Sequence, residues 1–533
     1  MRKKLPSIFN AFFIVLFLNS FQVVLAQIAP GGVSTGLSMW LKAENEFTYY
    51  NSTDAVWMDQ SSNRYTLSAN LVLGSDGLSA PTLTSNSINY NPGITFDGSD
   101  TGLSTGTDVT GFGYTEWTAF SVQTIKDANV SNCVWHYSQP SNTFALFIDP
   151  NSTGFNIAVN NTSQGLITNP LVNDGKPYII GYNANNQSSQ TYVNSKIVNS
   201  GSGQSPLPSN GAFMIGLDAD GGEGVDGDNH LDGDVGEVII YNQKLSATDN
   251  QKVNSYLSLK YGISLNQTTP TNYVNSNGTV IWDIILNTGY STDVFGIGTD
   301  IASGLDQKVS QSANNSNGPI LSTTQHFTQA NNDALRTTSL GDGNFIFMAH
   351  DDGLEVFNSS FNGESNNRFS RVWKLDETGE VNSVYFAIPK AAYNFPSGVP
   401  ILVLSNNASF DGNDTVIELL DDGIHYWAQF NPSDAWYLTF ASTSTLNLLE
   451  VDSVLFSIYP NPVKTTLNIP LKNTINNKLE LMLYNITGQL VISEETNTTN
   501  GTAKLDMSKL LSGIYMLVIK NGDKQQIKKI IKE

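Results

Sequence analysis

Residues 231–265 read LDGDVGEVIIYNQKLSATDNQKVNSYLSLKYGISL and combine a strand pattern with a helix pattern. Its first part, up to Tyr241, has the pattern of a β-strand. Ser246 then stands at a helix N-cap position, with Asp249 at the capping-box position where Glu or Gln is commoner. Apolar residues follow at helical spacing, and Gly262 supplies a stop. The stretch therefore predicts a strand and then a short helix that packs on a β-sandwich.

The segments before this stretch predict further strands. LSMWLKAENEF (37–47), VWMDQSSNRYTLSA (56–69) and PGITFDGSDTGLS (92–104) alternate apolar and polar residues and end in turn formers. Aromatic residues make up 10% of the chain and charged residues 14%. Short apolar strands between Asn-, Ser- and Gly-rich turns are typical of an all-β fold and not of disorder. We expect Trp40, Trp57 and Phe96 to pack between two sheets.

Four motifs frame residues 27–265, and together they resemble the LamG-like, concanavalin A-like jelly roll of secreted bacterial proteins. They are Trp40-Leu41-x-Ala43, Trp57-x-Asp59-x-Ser61-x-Asn63, Phe96-Asp97-Gly98 and Gly233-Asp234-x-Gly236-Glu237-Val238-Ile239-Ile240-Tyr241. The resemblance implies a jelly-roll sandwich for this region. It also implies a role in adhesion or carbohydrate binding.

Residues 266–445 predict a second β-sandwich, because strand-like segments such as GNFIFMAHDDG and VNSVYFAIP follow one another. This region resembles uncharacterised domains that follow LamG-like modules in Bacteroidota surface proteins. Trp282, Trp373, Trp427 and Trp436 lie in alternating apolar strands. We interpret them as core residues, with a sugar-stacking face as the alternative. Residues 446–452 are expected to be a linker.

The C-terminal residues, 453–533, contain FSIYPNPVKTTLNI, KLELMLYNITGQLV and LSGIYMLVIKNGDKQQIKKIIKE. They resemble the type A C-terminal sorting domain of the type IX secretion system of Bacteroidota. The matching positions are Tyr459, Pro460, Asn461, Pro462, Gly488, Gly513 and Tyr515. The resemblance implies a small Ig-like β-sandwich that the type IX translocon recognises and a sortase removes by cutting upstream of Phe456. The cargo would then be attached to the cell surface or released. We call residues 453–533 the sorting module.

The other end of the chain predicts export too. Three basic residues at 2–4 precede an apolar run from Ile8 to Leu18, and Val24-Leu25-Ala26 offers a signal-peptidase site. We therefore expect residues 1–26 to be a signal peptide and the mature chain to have no transmembrane segment. Cys133 is the only cysteine of the chain, so an intramolecular disulfide is excluded. It lies in the apolar segment NCVWHY and is expected to be a buried thiol.

Charge is distributed unevenly along the chain. The sorting module has 10 basic and 6 acidic residues, whereas residues 27–452, which we call the body, have 14 basic and 42 acidic residues. The body therefore carries a net charge of −28. Such a surface repels nucleic acid and anionic lipid and suits cations or neutral partners such as glycans.

One segment of the body, 218–237, concentrates carboxylates. It reads DADGGEGVDGDNHLDGDVGE. The candidate ligands are Asp218, Asp220, Asp226, Asp228, Asp232 and Asp234. A glycine-rich loop of this kind can supply the six to eight oxygens that Ca²⁺ takes, although the EF-hand spacing is absent. Two interpretations stay open: a Ca²⁺ site, or a solvated acidic loop. About 1–5 mM Ca²⁺, suited to a weak extracellular site, should raise the melting temperature only in the first case.

No catalytic signature is found in the sequence. A glycosidase needs two carboxylates across a cleft. The nearest pairings, Glu44 with Glu46 and Asp234 with Glu237, are interpreted as loop and strand-edge residues. The five histidines lack metal-ligand spacing. We predict an exported surface or extracellular protein that is not an enzyme and serves in adhesion or carbohydrate binding. A diverged polysaccharide-active enzyme and a purely structural surface protein are the alternatives.

Overall fold

The computed structural model describes residues 28–44, 46–71, 79–106, 109–110, 112–127, 132–139, 142–149, 154–159, 162–163, 174–202, 207, 209–217, 229–410, 414–432, 436–443, 458–470, 478–497, 502–521 and 524–533. The predicted signal peptide, the linker and the acidic segment 218–228 lie outside the described residues. The chain forms two compact units, Met1–Ser442 and Thr443–Glu533. The fold is all-β, as predicted, with several sandwich-type sheets.

The first region contributes eighteen strands among the described residues, and every ladder between them is antiparallel. They are β1 (Leu37–Lys42), β2 (Phe47–Asn51), β3 (Asp54–Met58), β4 (Thr66–Ser68), β5 (Thr82–Ile88), β6 (Asn91–Asp97), β7 (Leu103–Ser104), β8 (Val109–Thr110), β9 (Trp117–Ile125), β10 (Asn132–Gln139), β11 (Asn142–Asp149), β12 (Gly154–Val159), β13 (Thr162–Ser163), β14 (Pro177–Ala184), β15 (Ser188–Val193), β16 (Lys196–Ser202), β17 (Asn210–Ile215) and β18 (Asp232–Tyr241).

These strands form two sheets. The central sheet has the order β16-β15-β14-β9-β18-β6-β5, and β1 pairs with the second half of β18. The second sheet has ten strands in the order β13-β12-β11-β10-β17-β7-β4-β3-β2, with β8 beside β17. Trp57 and Phe96 lie in the apolar core between them, as predicted. Cys133 is buried on β10, as expected.

One α-helix follows the central sheet in the described chain. Helix α1 spans Ala247–Tyr261, and the hydroxyl of Ser246 accepts a hydrogen bond from the backbone N–H of Asp249. Gly262 ends it in the left-handed conformation, at φ 64°. Both the cap and the stop were predicted from the sequence. Four 3₁₀-helices complete the helical elements: Pro30–Gly32, Ala69–Leu71, Ile301–Ser303 and Lys390–Ala392.

The next region has sixteen strands in the described residues. They are β19 (Tyr273–Val274), β20 (Val280–Trp282), β21 (Thr292–Asp300), β22 (Leu305–Gln307), β23 (Val309–Gln311), β24 (Ile320–Ser322), β25 (Phe345–His350), β26 (Phe357–Phe361), β27 (Glu364–Phe369), β28 (Trp373–Thr378), β29 (Val384–Pro389), β30 (Val399–Ser405), β31 (Thr415–Glu418), β32 (Leu420–Asp421), β33 (His425–Phe430) and β34 (Tyr437–Thr443).

A nine-stranded and a five-stranded sheet of this region enclose an apolar core, as the second-sandwich prediction requires. The nine-stranded sheet has the order β22-β21-β25-β28-β34-β27-β26, with β30 beside β34 and β31 beside β30. The five-stranded sheet has the order β23-β24-β29-β33-β32, and β19 and β20 pair separately. Trp373 lies in the core between the large sheets, and Trp282 is buried in a neighbouring cluster. Trp427 and Trp436 are partly buried against apolar clusters.

The inner strands of the central sheet, such as β9 and β18, are buried on both faces. One face packs in the first sandwich, and the other contacts α1 and an apolar cluster that includes Tyr273, Phe345 and Phe347 of the next region. All nine residues of β9 are buried for this reason. Trp40 corrects a prediction: it lies on this second face, with its ring 6.4 Å from that of Tyr256 in α1, and not between the two sheets. The predicted boundary at 265/266 stays a prediction, and the cluster contains residues from both sides of it.

The second compact unit holds six strands among its described residues. They are β35 (Thr466–Pro470), β36 (Lys478–Asn485), β37 (Leu490–Asn497), β38 (Thr502–Asp506), β39 (Gly513–Asn521) and β40 (Lys524–Lys532). Strands β35 and β38 form one sheet, and the other has the order β37-β36-β39-β40. Thirteen buried apolar residues, including Leu467, Leu483 and Leu517, form the core of this small sandwich.

Candidate functional site

The Tyr459-Pro460-Asn461-Pro462 motif joins both sheets of the sorting module. The backbone of Tyr459 exchanges hydrogen bonds of 3.1 and 2.8 Å with Asn468 in β35. The Asn461 side chain donates to the carbonyl of Lys529 (3.0 Å) and accepts from the N–H of Ile531 (2.8 Å), both in β40. Both prolines follow cis peptide bonds. Residues 459–463 therefore form a clasp in which Tyr459 bonds to one sheet, and Asn461 and Val463 bond to the other.

Val463 extends the clasp along the edge of β40. Its N–H donates to the carbonyl of Ile531 at 2.8 Å, and its carbonyl accepts from the N–H of Glu533 at 3.0 Å. An open edge strand offers unpaired backbone groups to other chains. Asn461 and Val463 together occupy such groups along the C-terminal half of β40 in this module.

Gly488 closes the turn between β36 and β37. Its φ is 81°, and its N–H donates to the carbonyl of Asn485 at 3.0 Å. The side-chain oxygen of Asn485 accepts from the N–H groups of Thr487 and Gln489. A Cβ atom at Gly488 would meet nothing within 4 Å, so the requirement for glycine comes from the backbone conformation.

Tyr515 anchors the loop before β39. Its ring lies in the module core, and its hydroxyl donates to the carbonyl of Leu511 at 2.8 Å. Leu510 packs partly against the same core. A Cβ atom at Gly513 would meet only Tyr515 Cε2, at the ordinary distance of 3.8 Å. Packing therefore does not explain a glycine at position 513.

The candidate Ca²⁺ ligands are only partly described. Asp218, Asp220, Asp226 and Asp228 lie outside the described residues. Asp232 and Asp234 begin β18, and no group of three or more His, Cys, Asp or Glu side chains in the described residues is arranged to hold a metal ion. The Ca²⁺ site stays a prediction.

Asp234 is already occupied by protein donors. It accepts hydrogen bonds from the hydroxyls of Thr95 (2.6 Å) and Thr124 (3.1 Å) and forms an ion pair with Lys126 at 3.0 Å. A Ca²⁺ ion in this segment would have to displace Lys126 or use other carboxylates. Burial raises the pKa of nearby Asp232, and the neighbouring carboxylates add to this rise against the opposing effect of Lys126.

Glu237 has a different role from Asp234, although both belong to β18. Its carboxylate is fully buried and accepts from Trp40 Nε1 (2.9 Å), the hydroxyls of Tyr256 (2.8 Å) and Tyr261 (3.2 Å), and Lys260 Nζ (2.6 Å). Gly236 makes this arrangement possible, because a Cβ atom there would stand 2.8 Å from the ring of Tyr261. The motif residues Gly236 and Glu237 thus fasten α1 to the central sheet.

Lys260 connects Glu237 to Glu44. Its ammonium group lies 2.8 Å from Glu44 Oε1, and Lys42 lies 3.0 Å from Glu44 Oε2. Burial opposes the charged form of Lys260, but the two carboxylates outweigh it and raise its pKa. Burial by itself would raise the pKa of Glu44, but the ammonium groups of Lys260 and Lys42 lower it to about 2.

Glu44 and Glu237, which Lys260 bridges, belong to a structural ion-pair network. A general acid needs a pKa near the working pH, and a Glu with a pKa of about 2 is ionised at neutral pH. Glu237 is 0% exposed and has no access to a substrate. His350, at the end of β25, likewise pairs with Asp293 (Nε2 to Oδ2, 3.1 Å), while its Nδ1 accepts from the backbone of Asp352.

A cleft of about 340 Å³ opens where the hairpin between β5 and β6 faces the segment after β23. None of the described residues that line it is charged. Its polar groups belong to Asn86, Ser87, Asn89, Tyr90, Thr124, Gln311, Ser312 and Ser316. The cleft is lined by side-chain amides and hydroxyls, with Ile88, Ala313 and Pro177 as apolar wall residues.

Part of the cleft wall is held in place by its own hydrogen bonds. Asn89 donates to the carbonyl of Lys260 and to the hydroxyl of Ser310, both at 3.0 Å, and accepts from the N–H of Gln311 at 2.9 Å. The hydroxyl of Ser87 is buried and has no hydrogen-bond partner among the described residues.

A second cavity of about 150 Å³ lies nearby, beside Glu44 and Lys260. Asn91 and Gln307 on its wall bond to one another at 3.1 Å, and Asn91 also donates to the carbonyl of Lys260 at 2.6 Å. The positions of the Asn91 and Gln307 side chains were not predicted from the sequence. The one local signal is Asn89-Tyr90-Asn91-Pro92, in which Asn89 and Tyr90 have positive φ.

Comparison with known protein families found two matches. The secretion system C-terminal sorting domain matches residues 457–533, and a domain of unknown function, DUF8202, matches residues 249–435, beginning within α1. The comparison with curated proteins found no match. No helix in the described residues is long and apolar enough to cross a membrane.

Among solved structures, the chain is similar to β-rich carbohydrate-related proteins. A Trypanosoma rangeli sialidase in complex with sialic acid has 16% identity and a TM-score of 0.29, over 42% of this chain and 33% of that one. Domain 4 of the arabinanase AbnA from Geobacillus stearothermophilus, in complex with arabinotriose, has 12% identity and a TM-score of 0.32, over 42% and 99%. The CBM40 domain of a Ruminococcus gnavus sialidase, bound to sialyllactose, has 13% identity and a TM-score of 0.22, over 26% and 80%.

These structural likenesses, all with TM-scores below 0.5, carry no inference about the function of this chain. The chain spans only a third of the sialidase. The sorting-domain match carries more, because it covers the whole described part of the module. The C-terminal residues are a sorting signal for the type IX secretion system, and the protein is exported to the cell surface or the extracellular space.

Proposed function

We propose that the exported body is an adhesion module that binds neutral glycans, and that the uncharged cleft at residues 86–90 and 311–316 is the binding site. The observation that carries the proposal is the lining of this cleft, which combines amides and hydroxyls without a charged side chain. Sugar hydroxyls donate and accept hydrogen bonds, and amide and hydroxyl side chains do both as well.

Charge supports a neutral ligand. The body carries a net charge of −28, so an anionic sugar would approach against a repulsive field. The described lining residues of the cleft include no charged side chain that could pair with a carboxylate or ammonium group of a charged sugar, whereas a neutral sugar needs no such partner. The volume of about 340 Å³ lies within the usual range for small-ligand sites, about 300–1,000 Å³.

The walls offer both kinds of contact that a sugar ring needs. Tyr90 and Pro177 are among the lining residues, and rings of this kind can pack on the apolar C–H face of a sugar. Asn86 is exposed and donates one 3.2 Å bond to the carbonyl of Thr328, so its side chain is available at the rim of the cleft. The LamG-like resemblance of the first region supports the same class of ligand.

The test is a glycan array with the mature secreted chain and with Ser316→Trp, in which a large side chain on an exposed residue fills the cleft. Ser200→Trp is the matched control, because Ser200 is exposed on β16, away from the residues that line the cleft. We expect binding of neutral oligosaccharides by the natural chain and by Ser200→Trp, and loss of binding by Ser316→Trp. Asn86→Ala should weaken binding several-fold, since one hydrogen bond contributes about 0.5–1.5 kcal/mol.

Two results would overturn the proposal. Equal binding by Ser316→Trp and the natural chain would place the glycan elsewhere. Absence of binding across the array would favour a structural surface protein. Release of reducing ends from complex polysaccharides, measured on the same samples, would instead assign the chain to the polysaccharide-active enzymes.

A further inference from the structure

The four-stranded sheet of the sorting module has one face that carries several exposed apolar residues among those that the structure describes. Its inner face supplies core residues such as Leu481 and Leu517. Its outer face carries Leu490, Ile514, Met516 and Ile531, whose exposed fractions are 46%, 44%, 40% and 40%. Exposed apolar residues that stand singly are normal, but a contiguous group marks an interaction site.

The strand register shows that these residues are contiguous. Ile514 pairs with Ile531, and Met516 pairs with Tyr484 on its other side. Tyr484 in turn pairs with Leu490, and its hydroxyl lies 3.7 Å from the sulfur of Met482. Cross-strand partners lie on the same face of a sheet, about 4.5–5.5 Å apart at Cβ. We call the surface formed by Met482, Tyr484, Leu490, Ile514, Met516 and Ile531 the open face.

The β40 edge of this sheet is less accessible to a partner than the open face is. Asn461 and Val463 of the clasp bond to the backbone of β40 at Lys529, Ile531 and Glu533. A partner that added a strand beside this part of β40 would have to displace the clasp. Recognition across the open face leaves every one of these bonds intact.

Charge gives the open face an orientation. Lys529 is exposed and pairs with Met516, and Lys520 stands farther along β39. On the opposite edge, β37 carries the exposed Glu494 and Glu495. A complementary surface therefore has apolar side chains at its centre and carboxylates on the side that meets β39 and β40.

We propose that the type IX export machinery recognises the sorting module through this open face, and that its contact surface is apolar with a carboxylate rim. The sorting-domain match establishes that export machinery reads the module. Among the described residues of the module, the open face is the surface that joins clustered exposed apolar residues to flanking lysines. Glycan binding by the body is a separate matter and is unaffected by this assignment.

The experiment is secretion of the full chain by a host with a type IX system. The variant Ile514→Glu/Met516→Glu places two carboxylates on the open face, and Thr466→Glu places one on the outer face of the sheet formed by β35 and β38. A chain lacking residues 453–533 sets the level without export. We expect the double variant to fall at least tenfold in secreted protein and to accumulate in the periplasm, whereas Thr466→Glu is secreted normally.

Two further measurements keep the outcome interpretable. The melting transition of the purified double variant shows whether its module is folded, and Lys529→Glu tests the carboxylate rim at an exposed residue whose side chain makes no described ion pair. We expect Lys529→Glu to reduce secretion severalfold with an unchanged melting transition. Normal secretion of both variants would overturn the proposal. So would concentration-dependent dimers of the natural chain that the double variant loses while it is still secreted, because the open face would then bind a second copy.

Discussion

The central sheet of the body and the four-stranded sheet of the sorting module bury their apolar residues in different ways. The central sheet is covered on both faces, by the ten-stranded sheet on one side and by α1 with residues of the next region on the other. The module sheet has its core on one face, and the described residues of its other face include the exposed Leu490, Ile514, Met516 and Ile531. A buried charge network lies on the second face of the central sheet, whereas the second face of the module sheet carries exposed apolar residues.

The same alternating strand pattern therefore has two outcomes, which depend on whether the second face of the sheet is covered. On β9 both sets of alternating residues are buried, so its exposed fraction is low throughout. On β39 the alternation separates core residues such as Tyr515 and Leu517 from exposed Ile514 and Met516. An apolar residue on the second face of a strand is thus buried or exposed according to what covers that face.

The largest effect is expected at Glu237, in the buried network on the second face of the central sheet. Glu237→Ala removes one carboxylate partner from buried Lys260 and leaves the hydroxyls of Tyr256 and Tyr261 without their acceptor. Breaking a buried ion pair in this way costs about 3–5 kcal/mol. We expect that loss in the free energy of unfolding of the body, measured by urea denaturation.

Glu418→Ala is the control, because Glu418 is exposed on β31. A surface change of this kind should stay within about 0.5 kcal/mol of the natural chain. If Glu237→Ala cost no more than Glu418→Ala, the network would not fasten the second face of the central sheet.

Glu44 should make the stability of the body depend on pH. Its pKa is lowered from 4.5 to about 2 in the folded body, so its ionisation stabilises the fold above pH 4.5, and this stabilisation is lost as the pH falls toward 2. Glu44→Gln lacks this contribution. We expect the variant to melt below the natural chain at pH 6 and the gap to narrow by pH 3, in melting temperatures measured at constant ionic strength. A gap that is constant or widens on acidification would contradict the prediction.

The smallest effects belong to two glycines of the sorting module. Gly488→Ala places a side chain at φ 81° and should cost about 1 kcal/mol of module stability. Gly513→Ala meets only ordinary contacts and should be neutral in thermal unfolding. A Gly513→Ala chain that is stable yet poorly secreted would show that the export machinery contacts position 513. Equal destabilisation by both variants would contradict the structural distinction between them.

Local features were predictable from the sequence. Ser246, Asp249 and Gly262 define the limits of α1 because caps and stops depend on neighbouring residues. The placement of Trp57 and Phe96 followed from their alternating strands. Trp40 was placed on the wrong face, because sequence alternation cannot reveal that a helix more than 200 residues later covers the other side of its sheet.

The candidate sites were less predictable for the same reason. Glu237 belongs to a recognisable motif, but its partners Trp40 and Lys260 are 197 and 23 residues away, so its burial depends on the assembled layers. The cleft combines residues near 87 and 312, and no local pattern links them. The clasp residues were recognised by resemblance, whereas the bonds of Asn461 to β40, 68 and 70 residues away, required the structure.

The position of the clasp also determines what survives a proteolytic cut. Tyr459, Asn461 and Val463 belong to the hydrogen-bonding of both sheets, although they stand at the start of the module. Cleavage between residues 443 and 458 would leave all of these bonds within the released fragment. Cleavage after Val463 would strip the C-terminal half of β40 of its neighbour. A module that is cut off upstream of the clasp would therefore stay folded after its release from the cargo. If the open face is the recognition surface, the released module would still compete with uncleaved chains for the export machinery.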